Sequence, residues 1–180
     1  MHLLRTSMRV IAPDAGLTLI EAMIALAIAG ILLSLAAPAM RGFLVQNRLA
    51  ADTSQLVAAL TLARSEAIQR GRGVQVCRSI DADTAAAACS AAATAKRAAD
   101  DWGAGWLVQV ADSGQILSRQ GALDDSSQVA ATRKTITYNS GGNASSSFAK
   151  LAVSHNGEFA RTVCISSTGR ISVKPDTAEC

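Results

Sequence analysis

The spacing of hydrophobic positions divides the chain into three stretches. From Leu17 to Ala39 every residue is apolar or small except Thr18, Glu21 and Ser34. A helix of that length spans about 35 Å, enough to cross a bilayer core of about 30 Å. Further on, Leu49, Leu56, Leu60, Ala63 and Ala67 recur at spacings of 7, 4, 3 and 4, the stripe of a helix lying on a core. Arg48, Asp52, Gln55, Glu66 and Gln69 fill the other face, and Gly71 and Gly73 end the helix. From Val74 the period is two. Val74 to Arg78 and Trp106 to Val110 alternate as strands. Shorter strand-like runs cover 115–119, 134–138, 150–154, 162–166 and 170–174. Residues 79–101, rich in Ala, Asp, Ser and Thr, read as a loop with room for a short helix in the alanines, and 141–147 read as a second loop. One long helix followed by six or seven strands is an α+β layout, with an antiparallel β-sheet domain packed on the second half of the helix.

Composition changes this picture little. The chain has 180 residues, enough for one modest core with an appended segment, and a net charge of +3, too small to announce a nucleic-acid binder. Cys77, Cys89, Cys164 and Cys180 lie outside the apolar stretch and lack the CxxC spacing of a zinc or redox site. They read as a disulfide framework in an oxidising compartment, with free buried thiols as the alternative. Pairing neighbours in sequence is the simplest of three connectivities.

Nothing in the chain reads as an enzyme. His2 precedes the apolar stretch, which leaves His155, beside Asn156-Gly157, without an identifiable Ser, Cys or carboxylate partner. No phosphate-binding glycine loop, metal-ligand cluster or cofactor motif is present, so no catalytic residue, cofactor or metal is expected.

Glu21 is the anomaly of the apolar stretch, because a carboxylate inside a membrane costs about 2.5–3.5 kcal/mol and such residues usually have a partner. The run Gly16-Leu17-Thr18-Leu19-Ile20-Glu21 resembles the G-F-T-L-x-E signature of type IV pilins and pseudopilins, with Leu17 in place of phenylalanine. The resemblance implies that a prepilin peptidase cuts after Gly16 and that Leu17 becomes an N-methylated first residue. It also implies that the carboxylate of Glu21 neutralises the terminal amine of a neighbouring subunit in a filament. The organisation that follows is a leader over 1–16, a membrane-spanning and filament-core helix over 17–39, its amphipathic continuation over 40–72, and a periplasmic β-rich domain over 73–180. Such a protein is single-pass in the inner membrane, and its partners are that membrane, the peptidase and other pilin subunits.

Three further segments are similar to one branch of that superfamily, the GspH/FimT minor pilins and pseudopilins: Gln46 to Gly71, "DWGAGW" at 101–106, and "VCISSTGRISV" at 163–173. Within the branch two functions compete. One is a FimT-like pilus subunit that binds double-stranded DNA without sequence specificity during natural transformation. The other is a GspH-like minor pseudopilin of type II secretion with a structural role at the filament tip. The pilus type uses a Gly-Arg-x-Arg element for DNA. Here Gly169 and Arg170 match, Ser172 replaces the second arginine, and Lys174 lies two residues on, on the same face of a strand. From Ser126 onward six Lys+Arg stand against three acids. Gly169, Arg170 and Lys174 are therefore the expected DNA contacts; solvation of a strand face is the competing reading.

Overall fold

A computed structural model of the chain describes residues 18–145, 148–157, 159–176 and 178–180, leaving out the side chains of 35–39. The leader and the processing site Gly16–Leu17 lie outside the described residues. Helix α1 runs from Leu19 to Arg70. Eight strands follow: β1 Val74–Arg78, β2 Trp106–Val110, β3 Ile116–Gln120, β4 Ser127–Ala131, β5 Thr135–Tyr138, β6 Ala149–His155, β7 Phe159–Ile165 and β8 Ile171–Pro175. The chain divides into two compact units, residues 1–41 and 42–180.

α1 stops where the sequence says it must. Gly71 adopts φ 63°, a left-handed conformation that costs glycine little. Its N–H bonds the Ile68 carbonyl, and the N–H of Arg72 bonds that of Ala67, the paired bonds of a Schellman cap.

The strands form two antiparallel four-stranded sheets rather than one, in the orders β3-β2-β1-β5 and β4-β6-β7-β8. The hydrophobic stripe of α1 is buried as its spacing requires, with Leu56, Leu60, Ala63 and Ala67 wholly inaccessible. It meets Val74, Val76, Val108 and Ile136 of the first sheet and Val129, Leu151, Val153 and Val163 of the second in one continuous core. Each fully buried leucine contributes about 2 kcal/mol of transfer free energy. Trp102 and Trp106 belong to this core, and the Trp102 indole N–H donates to the Arg133 carbonyl at 3.0 Å.

Both sheets also have a covered outer face. Cys77 and Leu107 point away from α1 and pack with Ala82 under the 79–101 segment, which the Cys77–Cys89 disulfide ties down. Thr162 and Cys164 point outward on the second sheet and are nevertheless buried. The C-terminal tail covers them: Thr162 Oγ1 donates to the Asp176 carbonyl at 2.8 Å, and Cys164 is bonded to Cys180. Bridges closing loops of this size contribute roughly 3 kcal/mol each in the chain-entropy model.

The 79–101 segment contains no helix. Two buried arginines organise it instead. Arg78 donates to the carbonyls of Asp101, Ser90, Ala92 and Ala98, and Arg97 pairs with Asp101 at 3.1 Å and donates to the carbonyls of Leu123, Asp124 and Ser127. Backbone that would be orphaned under the segment is satisfied by guanidinium forks whose planar geometry suits several acceptors at once.

Candidate assembly helix and basic sheet face

In the first unit the apolar side chains of α1 face outward. Leu19, Ile20, Met23, Ile24, Leu26, Ile28, Ile31, Leu32 and Leu33 are all more than half exposed. A helix that is apolar all round and unburied within its own chain requires an apolar environment from elsewhere. Among the described residues no helix is long and apolar enough to cross a membrane.

Thr18 starts the helix, its Oγ1 accepting the Glu21 backbone N–H at 3.2 Å. Thr18 is thus the N-cap, and Glu21 stands at the third helical position, where the helix dipole favours negative charge. The Glu21 side chain is exposed.

In the second unit, Asp52, which its spacing puts on the polar face, proves buried. So does His155, which ends β6, is 7% exposed and has a serine partner. Ser127 Oγ donates to Asp52 Oδ2 at 2.6 Å and lies 3.0 Å from His155 Nδ1. The hydroxyl has one proton, spent on Asp52, so the Nδ1–H of His155 donates to Ser127 Oγ. Serine, histidine and aspartate occur together, but in the wrong order for nucleophilic catalysis. The serine lies between acid and imidazole, so its proton faces a weakly basic carboxylate instead of the imidazole, and it is wholly inaccessible. The triplet fastens α1 to β4 and β6.

The basic face lies on the outer side of the second sheet, where Arg170, Ser172 and Lys174 line one surface cleft with Phe148 and the Cys164–Cys180 disulfide. The three expected contacts differ in state. Among the described residues the Arg170 side chain has no hydrogen-bond or ion-pair partner; its bonds are those of the backbone, the N–H donating to Ser166 Oγ and the carbonyl accepting the Ser166 N–H. Lys174 Nζ donates to the Glu179 carbonyl at 2.6 Å, while Lys150 Nζ lies 3.3 Å from the Glu179 carboxylate. The C-terminal tail therefore occupies two of the cations on this face.

Gly169 has a backbone reason for being glycine. It is buried at φ 75°, and a Cβ there would collide with the Gly142 carbonyl. Between the two turns lies Arg64 of α1, whose Nε donates to the Gly142 carbonyl at 3.0 Å and whose guanidinium also donates to the Thr168 carbonyl at 3.2 Å. Sequence reading passed over Arg64. The available signal was its spacing, four residues after Leu60, on the flank of the buried stripe.

Residues 52–169 match the protein family described as type II transport protein GspH, and residues 12–37 match the prokaryotic N-terminal methylation motif. Among solved structures, the type IV minor pilin FimU of Pseudomonas aeruginosa (strain PAO1) is similar in two crystal forms. One matches with a TM-score of 0.54 and 24% identity over 72% of this chain and 90% of that one. The other gives a TM-score of 0.53 and 22% identity over 73% and 93%. No curated protein matches the chain.

Proposed function

We propose, since the chain belongs to the family of type II transport protein GspH, that it is a minor pilin of a type IV pilus-type filament whose basic sheet face contacts DNA. The observation that carries the filament role is the exposed apolar half of α1 with one carboxylate at its start. Alone in water that surface is a liability. Set in a membrane, and then among the helices of other subunits, it is an anchor and an assembly element. The methylation-motif match, which brackets Gly16–Leu17, supports cleavage by a prepilin peptidase after Gly16 and methylation of Leu17. The freed amine of one subunit then has a counter-ion in Glu21 of its neighbour, and low dielectric punishes a missing partner. Before assembly the protein sits in the inner membrane as a single-pass protein with its β-rich unit in the periplasm, where an oxidising milieu suits the two disulfides.

The DNA reading rests on Arg170. It is an exposed guanidinium without a competing partner among the described residues, held on a turn that α1 braces through Arg64. Contacts of this kind address phosphates and carry no sequence information. The second reading, a type II secretion pseudopilin with a structural role at the filament tip, is favoured by the engagement of Lys174 and Lys150 with Glu179. We assign the chain no catalytic role.

The test is DNA binding by the oxidised full chain in neutral detergent, by gel shift with duplex DNA at low and moderate salt. Arg170→Ala should abolish most of a salt-sensitive shift. Lys174→Ala, whose ammonium the tail already holds, should cost less. No shift for wild type at low salt would sink the DNA reading and leave the structural pseudopilin.

A further inference from the structure

Phe148 is the residue of this face that packing does not explain. Its side chain is 61% exposed. Its backbone lies at φ 53°, a region where a bulky residue is strained and where Asn or Gly costs least. An exposed aromatic held in an unfavourable backbone conformation satisfies no need of the core. It lines a cleft of about 290 Å³ together with Arg170, Lys174, Ser166 and the Cys164–Cys180 disulfide.

We infer that this cleft takes one unpaired nucleotide of a strand, its base stacked on the Phe148 ring and its phosphate on Arg170. The inference rests on the DNA reading above and narrows it. A bare anion would find Arg170 but have no use for the ring. A purely apolar ligand would cover the ring and leave a guanidinium desolvated beside it. A nucleotide supplies both a flat π-face and a phosphate. The hydroxyls of Ser166 and Thr168, 2.9 Å apart on the same rim, add hydrogen-bonding capacity. Lys174 is committed to the Glu179 carbonyl, so the cleft has one cation ready for one phosphate rather than a basic track for a long duplex. Within an intact duplex each base is already stacked on its neighbours and cannot reach the ring. The substrate class is therefore a single strand, or the frayed end of a duplex.

The test is fluorescence anisotropy of the oxidised full chain in neutral detergent, with a labelled twelve-residue oligothymidylate and, separately, a dumbbell duplex closed at both ends. Phe148→Ala should weaken oligothymidylate binding about tenfold, the size of one lost stacking contact, and leave dumbbell binding within about twofold. Phe148→Trp should bind the single strand at least as well as wild type, and Phe148→Leu should behave like the alanine variant. Phe148→Asn should raise the melting temperature while losing single-strand affinity, which separates a binding defect from a folding one. The assignment is overturned if Phe148→Ala changes neither ligand, if it weakens both equally, or if leucine replaces phenylalanine without loss. It is also overturned if the only defect of Phe148→Ala is in filament incorporation, which would make the ring a subunit contact. An Arg170→Ala defect with Phe148→Ala unchanged would sink this inference alone. No binding of either ligand by wild type would sink the DNA reading with it.

Discussion

On the proposed reading, Glu21 occupies a position where two different physical needs ask for the same side chain. Behind a threonine cap, glutamate suits the third helical position, and glutamine is accepted there nearly as well. A charge partner for a neighbour's amine, in contrast, must be ionised. Glu21→Gln therefore separates the two. It should leave helix content and membrane insertion unchanged and reduce incorporation into filaments severalfold, measured as the variant's share in sheared filaments. Incorporation at the wild-type level would leave Glu21 with the helix role alone. Tyr138 poses the opposite case, a polar group without a use. Its hydroxyl is buried with no partner among the described residues, and burial pushes its pKa from 10 up to about 12, against a smaller opposing effect of Arg64. Tyr138→Phe should stabilise the fold at neutral pH by about 1 kcal/mol, a rise in Tm of about 2–4 °C. Below about pH 9 the phenol is protonated in both folded and unfolded chains and contributes no pH dependence. Between pH 10 and 12 it ionises mainly when unfolded, so the unfolded state binds fewer protons and stability falls as pH rises, by up to roughly 3 kcal/mol. The advantage of Tyr138→Phe should accordingly widen between pH 9 and 11.5 in urea unfolding. Trp102 and Trp106, both in the core of the sheet unit, provide the fluorescence signal.

At the scale of elements, what could be read in advance is what is set by short-range periodicity. The stripe from Leu49 to Ala67 is buried, α1 ends at Gly71, and seven of the strands fall within a few residues of where alternation puts them. β4 went unread because Ser127-Gln128-Val129-Ala130-Ala131 alternates in burial but holds a single strong β-former, Val129. It is fixed from outside, by pairing with β6 and by Asp101 Oδ1, which accepts the Val129 N–H. The division into two sheets was equally out of reach. It depends on β1 pairing with β5 across more than fifty residues, a choice that local pattern does not encode. The buried polar side chains follow the same logic. Asp52 looks like a surface acid until Ser127 and His155 arrive from other strands, and Arg78 and Arg97 look like loop charges until the 79–101 backbone wraps them. Of the candidate site, Arg170 came from the resemblance to a Gly-Arg-x-Arg element, and strand alternation set Ser172 and Lys174 on its face. Phe148 was not legible, because exposure and backbone strain belong to the folded chain.

Taken as a whole, the molecule screens its own basic face. On the outer side of each sheet a disulfide holds a segment that would otherwise leave, and on the second sheet that segment brings Glu179 onto Lys150 and Lys174. The number of cations available to a polyanion would then be set by the tail as much as by composition, with Arg170 the side chain on this face that the tail does not hold. Counterion release makes this countable, because each phosphate neutralised on duplex DNA adds about 0.9 to the negative slope of log K against log salt. Replacing both Cys164 and Cys180 with serine frees the tail, and two lysines become available. The slope for duplex binding should steepen by about 1.8, and affinity at low salt should rise. Loss of the bridge costs roughly 3 kcal/mol, so the measurement belongs at a temperature where near-ultraviolet circular dichroism shows the double variant folded. Glu179→Gln supplies the intermediate case, releasing the ion pair with Lys150 but not the carbonyl that holds Lys174; its slope should lie between the other two. Equal slopes for all three proteins, measured folded, would mean that the tail leaves the lysines accessible and that Arg170 owes its prominence to position alone.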